Sequence, residues 1–473
     1  MKNIPKIVQI ADGLIRKYPC FVTTMLWNVE FHCLENNDID QANNIAAMRY
    51  KAYQIAGKKY ASIDPNGINV FLKAIRNNTN LTYYSRSKEE IARSDERNKQ
   101  ARKNTEEYFN KYEECSNSLH IETYEDGALM QIHNFIEEHL PGVKSILRVK
   151  YGHSTVDSPA CESLFEILEL ISYDEEKYAL FADSTNFFIF GDGKYHFEAT
   201  KFRAIKGYDG NFHLCPFRTK FNQYYRGQSS IYRPCIPSIF RCYSKESEDK
   251  ERKKRDQLVK VLDSHPSVGV CFKGCNVSLQ NTRKEHVLYS VDYDALAQHY
   301  GVKTNLLDLT TDKLIAAFFA SSGYNENHDW YYPFHGKGKG VFYVHSDKTL
   351  FSKDSRMRCV GLQPLSRPGA QSGFVFEMKE GENFNDLCEM AIPFKHDFNT
   401  ARIINTLVFS LCEPFVKDVI SRKAMLIAKD MLLPDPIFSE DEKRMMEDEA
   451  IDFSRQIEQM VSHNTVFSMT YTV

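Results

Sequence analysis

Three short runs in this 473-residue chain place side chains suited to chemistry close together. Arg226 stands in Tyr225-Arg226-Gly227-Gln228. A guanidinium fork grips phosphate through two parallel charge-assisted hydrogen bonds, and a glycine beside it lets a ligand approach the backbone. His299 stands in Gln298-His299-Tyr300-Gly301 and can serve as acid, base or hydrogen-bond donor near neutral pH. Asp308, in Leu306-Leu307-Asp308-Leu309-Thr310, can hold a ribose hydroxyl, orient His299 or pair with Arg226. We take Arg226, His299 and Asp308 as candidate catalytic groups. Gly227, Gln228, Tyr300, Thr310 and Gln371 are candidate ligand contacts. Each has a structural alternative: a salt bridge for the arginine, packing for the histidine, helix capping for the aspartate.

The elements that position these residues can be read locally. "VDYDALAQHYG" reads as a short helix ending at Tyr300, with Gly301 as a left-handed cap. "VKTNLLDLTTDKLIAAFFAS" reads as strand, turn and helix, with Thr310, Thr311 or Asp312 capping the helix. The first N–H groups of that helix would form an anion site. Gln371 lies at the entrance to a strand in "GAQSGFVF". An aromatic residue precedes an arginine at Phe202-Arg203, Phe217-Arg218, Tyr225-Arg226, Tyr232-Arg233 and Phe240-Arg241. Side chains alternate along a strand, so such pairs send rings to a core and guanidinium groups to the other face.

Over the whole chain, residues 1–175 read as mostly helical, with an apolar stripe at Leu129, Ile132, Ile136 and Leu140 and a densely charged stretch at 85–114. Aromatic runs around Gly191-Asp192-Gly193, from Tyr178 on, predict a hairpin and a boundary near residue 175. Strands are expected at 340–345 and 372–378, and a helix at the charged run after Lys245, so 176–435 reads as an α+β domain. Pro414 interrupts helical sequence near its end, and 436–473 reads as an acidic amphipathic helix packed loosely on the surface.

"YYRGQ…IPSIFR", "LAQHYG", "TNLLDLT" and "DMLLPDPIF" together resemble the FRG domain family, named for a Phe-Arg-Gly motif whose first position is Tyr225 here. The chain keeps Gln298, His299, Tyr300, Gly301, Thr304, Leu307, Asp308 and Thr310 of that pattern. It departs at Asn305, where the family has Arg, and at Leu309, where it has Trp. The resemblance spans roughly residues 220–435 and brings no established activity with it.

The order of elements also resembles, more weakly, the ADP-ribosyltransferase layout. That resemblance implies NAD as the cofactor consumed, with arginine on its phosphate or ribose and a carboxylate activating the reacting group. Gln371 occupies the position expected for Glu, no Ser-Thr-Ser run occurs, and Glu380 and Glu382 offer a carboxylate pair nearby. The alternatives are a non-catalytic nucleotide-sensing or interaction module, or an RNA-binding protein that stacks bases on the aromatic-arginine stretch.

Composition bears on these classes. A net charge of -3 argues against broad nucleic-acid binding without excluding it. The twelve cysteines lack two tight metal-binding pairs, so no metal is expected. No signal-peptide pattern or membrane-length apolar run is present, which fits a cytoplasmic protein. The helical N-terminal region reads equally as a protein-partner module or a scaffold. A pocket domain fused to such a module suits a toxin or antiviral-defence effector.

Overall fold

The computed structural model describes residues 4–36, 38–65, 145–184, 202–206, 210–216, 223–242, 244–279, 283–325, 330–347, 350, 353–411, 418–462 and 466–467. The stripe at 129–140, the charged stretch at 85–114 and the turn at 191–193 lie outside these residues.

Helices come first: α1 (Ile4–Leu14), α2 (Pro19–Glu35), α3 (Ile39–Tyr60), α4 (Ile146–Tyr151) and α5 (Leu164–Ser184). Strands β1 (Phe202–Lys206), β2 (Phe212–Pro216) and β3 (Gln223–Gln228) follow, then α6 (Lys245–Asp263), α7 (Pro266–Lys273), β4 (Cys275–Leu279) and β5 (Arg283–Val287). Next are α8 (Tyr293–His299), β6 (Leu306–Thr310), α9 (Lys313–Ser321), β7 (Ser322–Asn325), β8 (Trp330–Pro333), β9 (Lys339–Ser346) and β10 (Met357–Cys359). The chain continues through α10 (Ser366–Ala370), β11 (Gly373–Glu377), α11 (Phe384–Leu387), β12 (Met390–Lys395), α12 (Phe398–Leu411), α13 (Val419–Ala428), α14 (Glu440–Ser462) and β13 (Val466–Phe467). The fold class is α+β.

The central sheet has six strands in the order β10-β11-β6-β3-β9-β12, and every pairing in it is antiparallel. Tyr225, Phe342, Val344 and Ile392 project from one face into a core with α9, α12 and the N-terminal helices. Tyr224, Leu307, Leu309, Tyr343 and Phe374 project from the other face, where Cys235 and Phe384 cover them. Antiparallel sheets covered by helix on one side alternate in this way because successive side chains point oppositely.

The packing does not divide at residue 175. Helix α5 continues through that position to Ser184, so residues 178–184 are helical where a hairpin was expected. Ile167, Leu168 and Ile171 of α5 share one core with Ile315, Phe318, Phe342 and Ile392 of the sheet region. Polar bonds join the same elements: the Tyr225 hydroxyl donates to Glu175 at 3.2 Å, and the Lys313 ammonium pairs with the same carboxylate. Lys313 is 5% exposed, so burial and pairing come together there.

The C-terminal helix also differs from its expectation. Although acidic, α14 inserts Met446 into the cluster of Leu258 and Ile420, and Phe453 and Ile457 into that of Phe212 and Cys271. His265 Nε2 and Glu449 lie 2.9 Å apart across the same contact. The apolar stripe, rather than net charge, decides where such a helix sits.

Candidate functional site

The site is built from the end of α8 and the middle of β6. Asp292 caps α8, accepting from Ala295 N at 2.9 Å. Ala295 packs with Leu306, Val360 and Val375, which seats the helix on β6 and β11. After His299 the chain turns through Gly301, whose φ of +86° is open to glycine and costly for other residues. The turn returns the chain along β6, so the last turn of α8 faces Asp308. As expected, Asp312 caps α9, accepting from Leu314 N at 2.7 Å.

Hydrogen bonds fix the polar groups in sequence. Thr304 Oγ1 donates to Gln298 Oε1 at 2.7 Å and accepts from Leu306 N at 3.2 Å. With its oxygen so engaged, the Gln298 amide donates through Nε2 to Asp308 Oδ2 at 3.0 Å. The second carboxylate oxygen, Oδ1, is buried and has no hydrogen-bond partner. It lies 3.9 Å from His299 Nε2, too far for a direct hydrogen bond. His299 Nε2 is likewise buried without a partner, in a side chain only 4% exposed.

The environment keeps this imidazole neutral. Burial is the largest influence and pushes the His299 pKa below its ordinary 6.5. Asp308 opposes that shift, the Arg367 charge reinforces it, and a hydrogen bond with the Gln371 side chain and the charge of Asp292 oppose it. Gly373 gives the ring its room: a Cβ there would lie 3.1 Å from His299 Nε2 and 3.2 Å from Pro368 O. Ser372, just before it, has a φ of +48°, an uncommon conformation for a residue with a side chain.

Arg226 reaches β6 from the other face. Strands β3 and β6 pair at one position, Tyr225 opposite Thr310. Thr310 and Asp308 therefore share a face with Tyr225, while Arg226 projects oppositely, beside its ladder partner Tyr343. Its Nη1 donates to the main-chain carbonyl of Asp308 at 2.6 Å, standing in for a strand–strand hydrogen bond. Arg226 Nε is buried without a partner. The expected triad is thus split: His299, Asp308 and Gln371 assemble, and Arg226 touches the same strand through its backbone.

Several other candidate contacts have structural partners. A Cβ on Gly227 would lie 1.8 Å from Ala316 O, so the glycine admits helix α9 rather than a ligand. Gln228 is buried on the Arg226 face, where the Cys235 thiol points to its Oε1 at 3.7 Å. The buried Tyr300 hydroxyl donates to Asp418, which in turn caps α13. Thr310 Oγ1 donates to Gln371 O at 2.7 Å and accepts from Asp312 N at 2.9 Å, locking the Gln371 turn to the start of α9.

Of the other aromatic-arginine pairs, Arg233 is exposed and pairs with Asp157 at 2.5 Å. Arg241 is exposed too, bonding Ile236 O and lying 5.7 Å from the Tyr232 ring centroid. Glu382 pairs with Arg356, and Glu380 is exposed.

Gly373 and Arg367 carried no role in the sequence reading, and Gln298 entered it only as part of the Gln-His-Tyr-Gly run. Gln298 holds Asp308, Gly373 receives the His299 ring, and Arg367 acts on that ring electrostatically. Among the described residues, no group of three or more His, Cys, Asp or Glu side chains is arranged to hold a metal ion. No described helix is long and apolar enough to cross a membrane. A cavity of ≈ 470 Å³ lined by Val8, Asp38, Asp40, Gln41, Asn44, Ile45 and Met48 lies in the N-terminal helices, apart from these groups.

No curated protein and no solved structure matches the chain. Residues 222–329 match the model of the FRG domain, a span that holds Tyr225-Arg226-Gly227-Gln228, all of α8 and β6, and therefore both His299 and Asp308. The chain contains an FRG domain at residues 222–329.

Proposed function

We propose that the FRG domain binds a nucleotide-like ligand through a sugar hydroxyl held between His299 and Asp308. The observation that carries this reading is the pair of buried, partnerless polar atoms, His299 Nε2 and Asp308 Oδ1, 3.9 Å apart. Buried polar atoms in folded proteins are nearly always hydrogen-bonded, so two facing one another call for a bridging group. A hydroxyl meets both demands, donating to the carboxylate and exchanging its other bond with the neutral imidazole. A phosphate does not, because the Asp308 charge repels it.

The same placement supports chemistry. A carboxylate that accepts a hydroxyl proton is positioned as a general base, with the imidazole able to take or return a proton beside it. An NAD-consuming reaction of the ADP-ribosyltransferase kind would have to run on Asp308, since Gln371 carries no charge and Glu382 is paired elsewhere. Turnover is thus a second property of the same site, tested separately from binding.

The test is a melting-temperature panel on the full chain with NAD, ADP-ribose, ATP and short RNA, alongside an assay for released nicotinamide. A ligand at a hundred times its Kd stabilises the fold by about 2.7 kcal/mol. We expect ADP-ribose or NAD to raise the melting temperature of wild type and not of Asp308→Asn. Stabilisation by RNA alone, or equal stabilisation of both proteins, would overturn the reading. Nicotinamide release that Asp308→Asn abolishes would establish catalysis; binding without release leaves a sensor.

A further inference from the structure

We propose that Arg367, rather than Arg226, receives the anionic group of the ligand, so that the site selects phosphorylated sugars and nucleotides over their unphosphorylated counterparts. This inference rests on the hydroxyl-binding reading of the His299–Asp308 gap.

Charge decides where an anion can sit. Asp308 occupies one side of the gap, so a phosphate attached to the bound sugar must lie away from that carboxylate. The turn carrying Arg367 borders the ring: a Cβ on Gly373 would lie 3.1 Å from His299 Nε2 and 3.2 Å from Pro368 O. Gln371 joins that turn to the site, its N donating to Arg367 O at 3.3 Å while its side chain bonds His299. The Arg367 guanidinium carbon lies 5.8 Å from the centroid of the Tyr300 ring, whose hydroxyl is anchored on Asp418. A guanidinium seated over a fixed ring keeps its planar fork oriented for an incoming phosphate. Its charge is also among the influences that hold His299 neutral.

Arg226 lacks these features. One of its amines is committed to the Asp308 carbonyl, and it leaves β3 on the opposite face from the carboxylate. Its place is in the sheet.

The experiment measures binding of ADP-ribose and of adenosine to the full-length chain by calorimetry. Wild type, Arg367→Ala, Arg367→Lys, Arg226→Lys and Asp308→Asn are compared, each first checked for a native circular-dichroism spectrum. We expect wild type to prefer ADP-ribose. Arg367→Ala should weaken ADP-ribose by about tenfold or more and leave adenosine unchanged, as loss of a charge-assisted contact requires. Arg367→Lys should recover part of the loss by keeping the charge without the fork. Arg226→Lys should keep the wild-type preference, and Asp308→Asn should weaken both ligands together. An unchanged preference in Arg367→Ala, or a lost preference in Arg226→Lys, would overturn the assignment. Binding of neither ligand to wild type, or an Asp308→Asn protein that binds both normally, would instead bring down the hydroxyl reading and this inference with it.

Discussion

Replacing Gly227 by alanine separates two accounts of the Tyr-Arg-Gly run. If the glycine makes room for a ligand, Gly227→Ala weakens binding and leaves the fold intact. The structure assigns the space to helix α9. An added Cβ would lie 1.8 Å from Ala316 O and 2.7 Å from both Ala320 N and its Cβ, whereas ordinary contact begins at 3.4 Å. Either β3 or α9 must therefore move by more than an ångström. Neither is free to do so, because Tyr225 is 1% exposed and Ala316, Ala317, Phe318 and Ala320 are fully buried. Overpacking a close-packed interior costs about 1–3 kcal/mol, and backbone is the obstacle here, so we expect about 3 kcal/mol or more. In a chain of this size that lowers the melting temperature by about 3 °C or more. Gly269, within α7, has nothing within 4 Å of its would-be Cβ and serves as the control. Gly269→Ala should be neutral or stabilising by about 0.5–1 kcal/mol, the ordinary gain of alanine over glycine in a helix. Differential scanning fluorimetry on both variants decides the matter. A Gly227→Ala protein that melts with wild type or with the control would refute the packing argument.

Three further outcomes are expected. Glu175→Ala leaves Lys313 buried without its carboxylate and should cost about 3 kcal/mol, read as a lowered urea midpoint, with the helical N-terminal part and the sheet unfolding together. Tyr300→Phe deprives the buried Asp418 of its phenolic donor and should cost about 1–3 kcal/mol in the same assay. His299 has a folded pKa depressed below 6.5, so its contribution to stability is complete above pH 6.5 and is lost as pH falls from there through the depressed value. His299→Asn should accordingly lose less stability than wild type between pH 7.5 and 5.5. Ligand binding by wild type should hold down to pH 6.5 and weaken only as pH falls through that depressed value, because a protonated ring pairs directly with Asp308 and closes the gap.

Where caps and periodicity act locally, the sequence was legible. Asp312 and Gly301 mark the edges of α9 and α8, and the strand character of 340–345 and 372–378 anticipated β9 and β11. The grouping of His299, Asp308 and Gln371 followed from these elements. What depends on distant pairing was hidden. Tyr225 opposite Thr310 sets which face Arg226 and Asp308 occupy, and that register is written in neither strand alone. Gly227 answers to a helix far along the chain. Arg367 sits in a five-residue helix with no periodicity to announce it. Tyr178 and the residues to Ser184 carry aromatic patterning that a strand would share, yet α5 continues through them. For α14, acidic composition masked an apolar stripe that three core side chains reveal.

The most direct measurement is a crystal structure of the full chain with ADP-ribose. The account predicts a ribose oxygen within about 3.2 Å of both His299 Nε2 and Asp308 Oδ1, with Gln298 still donating to Asp308 Oδ2. A ligand bound elsewhere, or a phosphate oxygen in that gap, would contradict it.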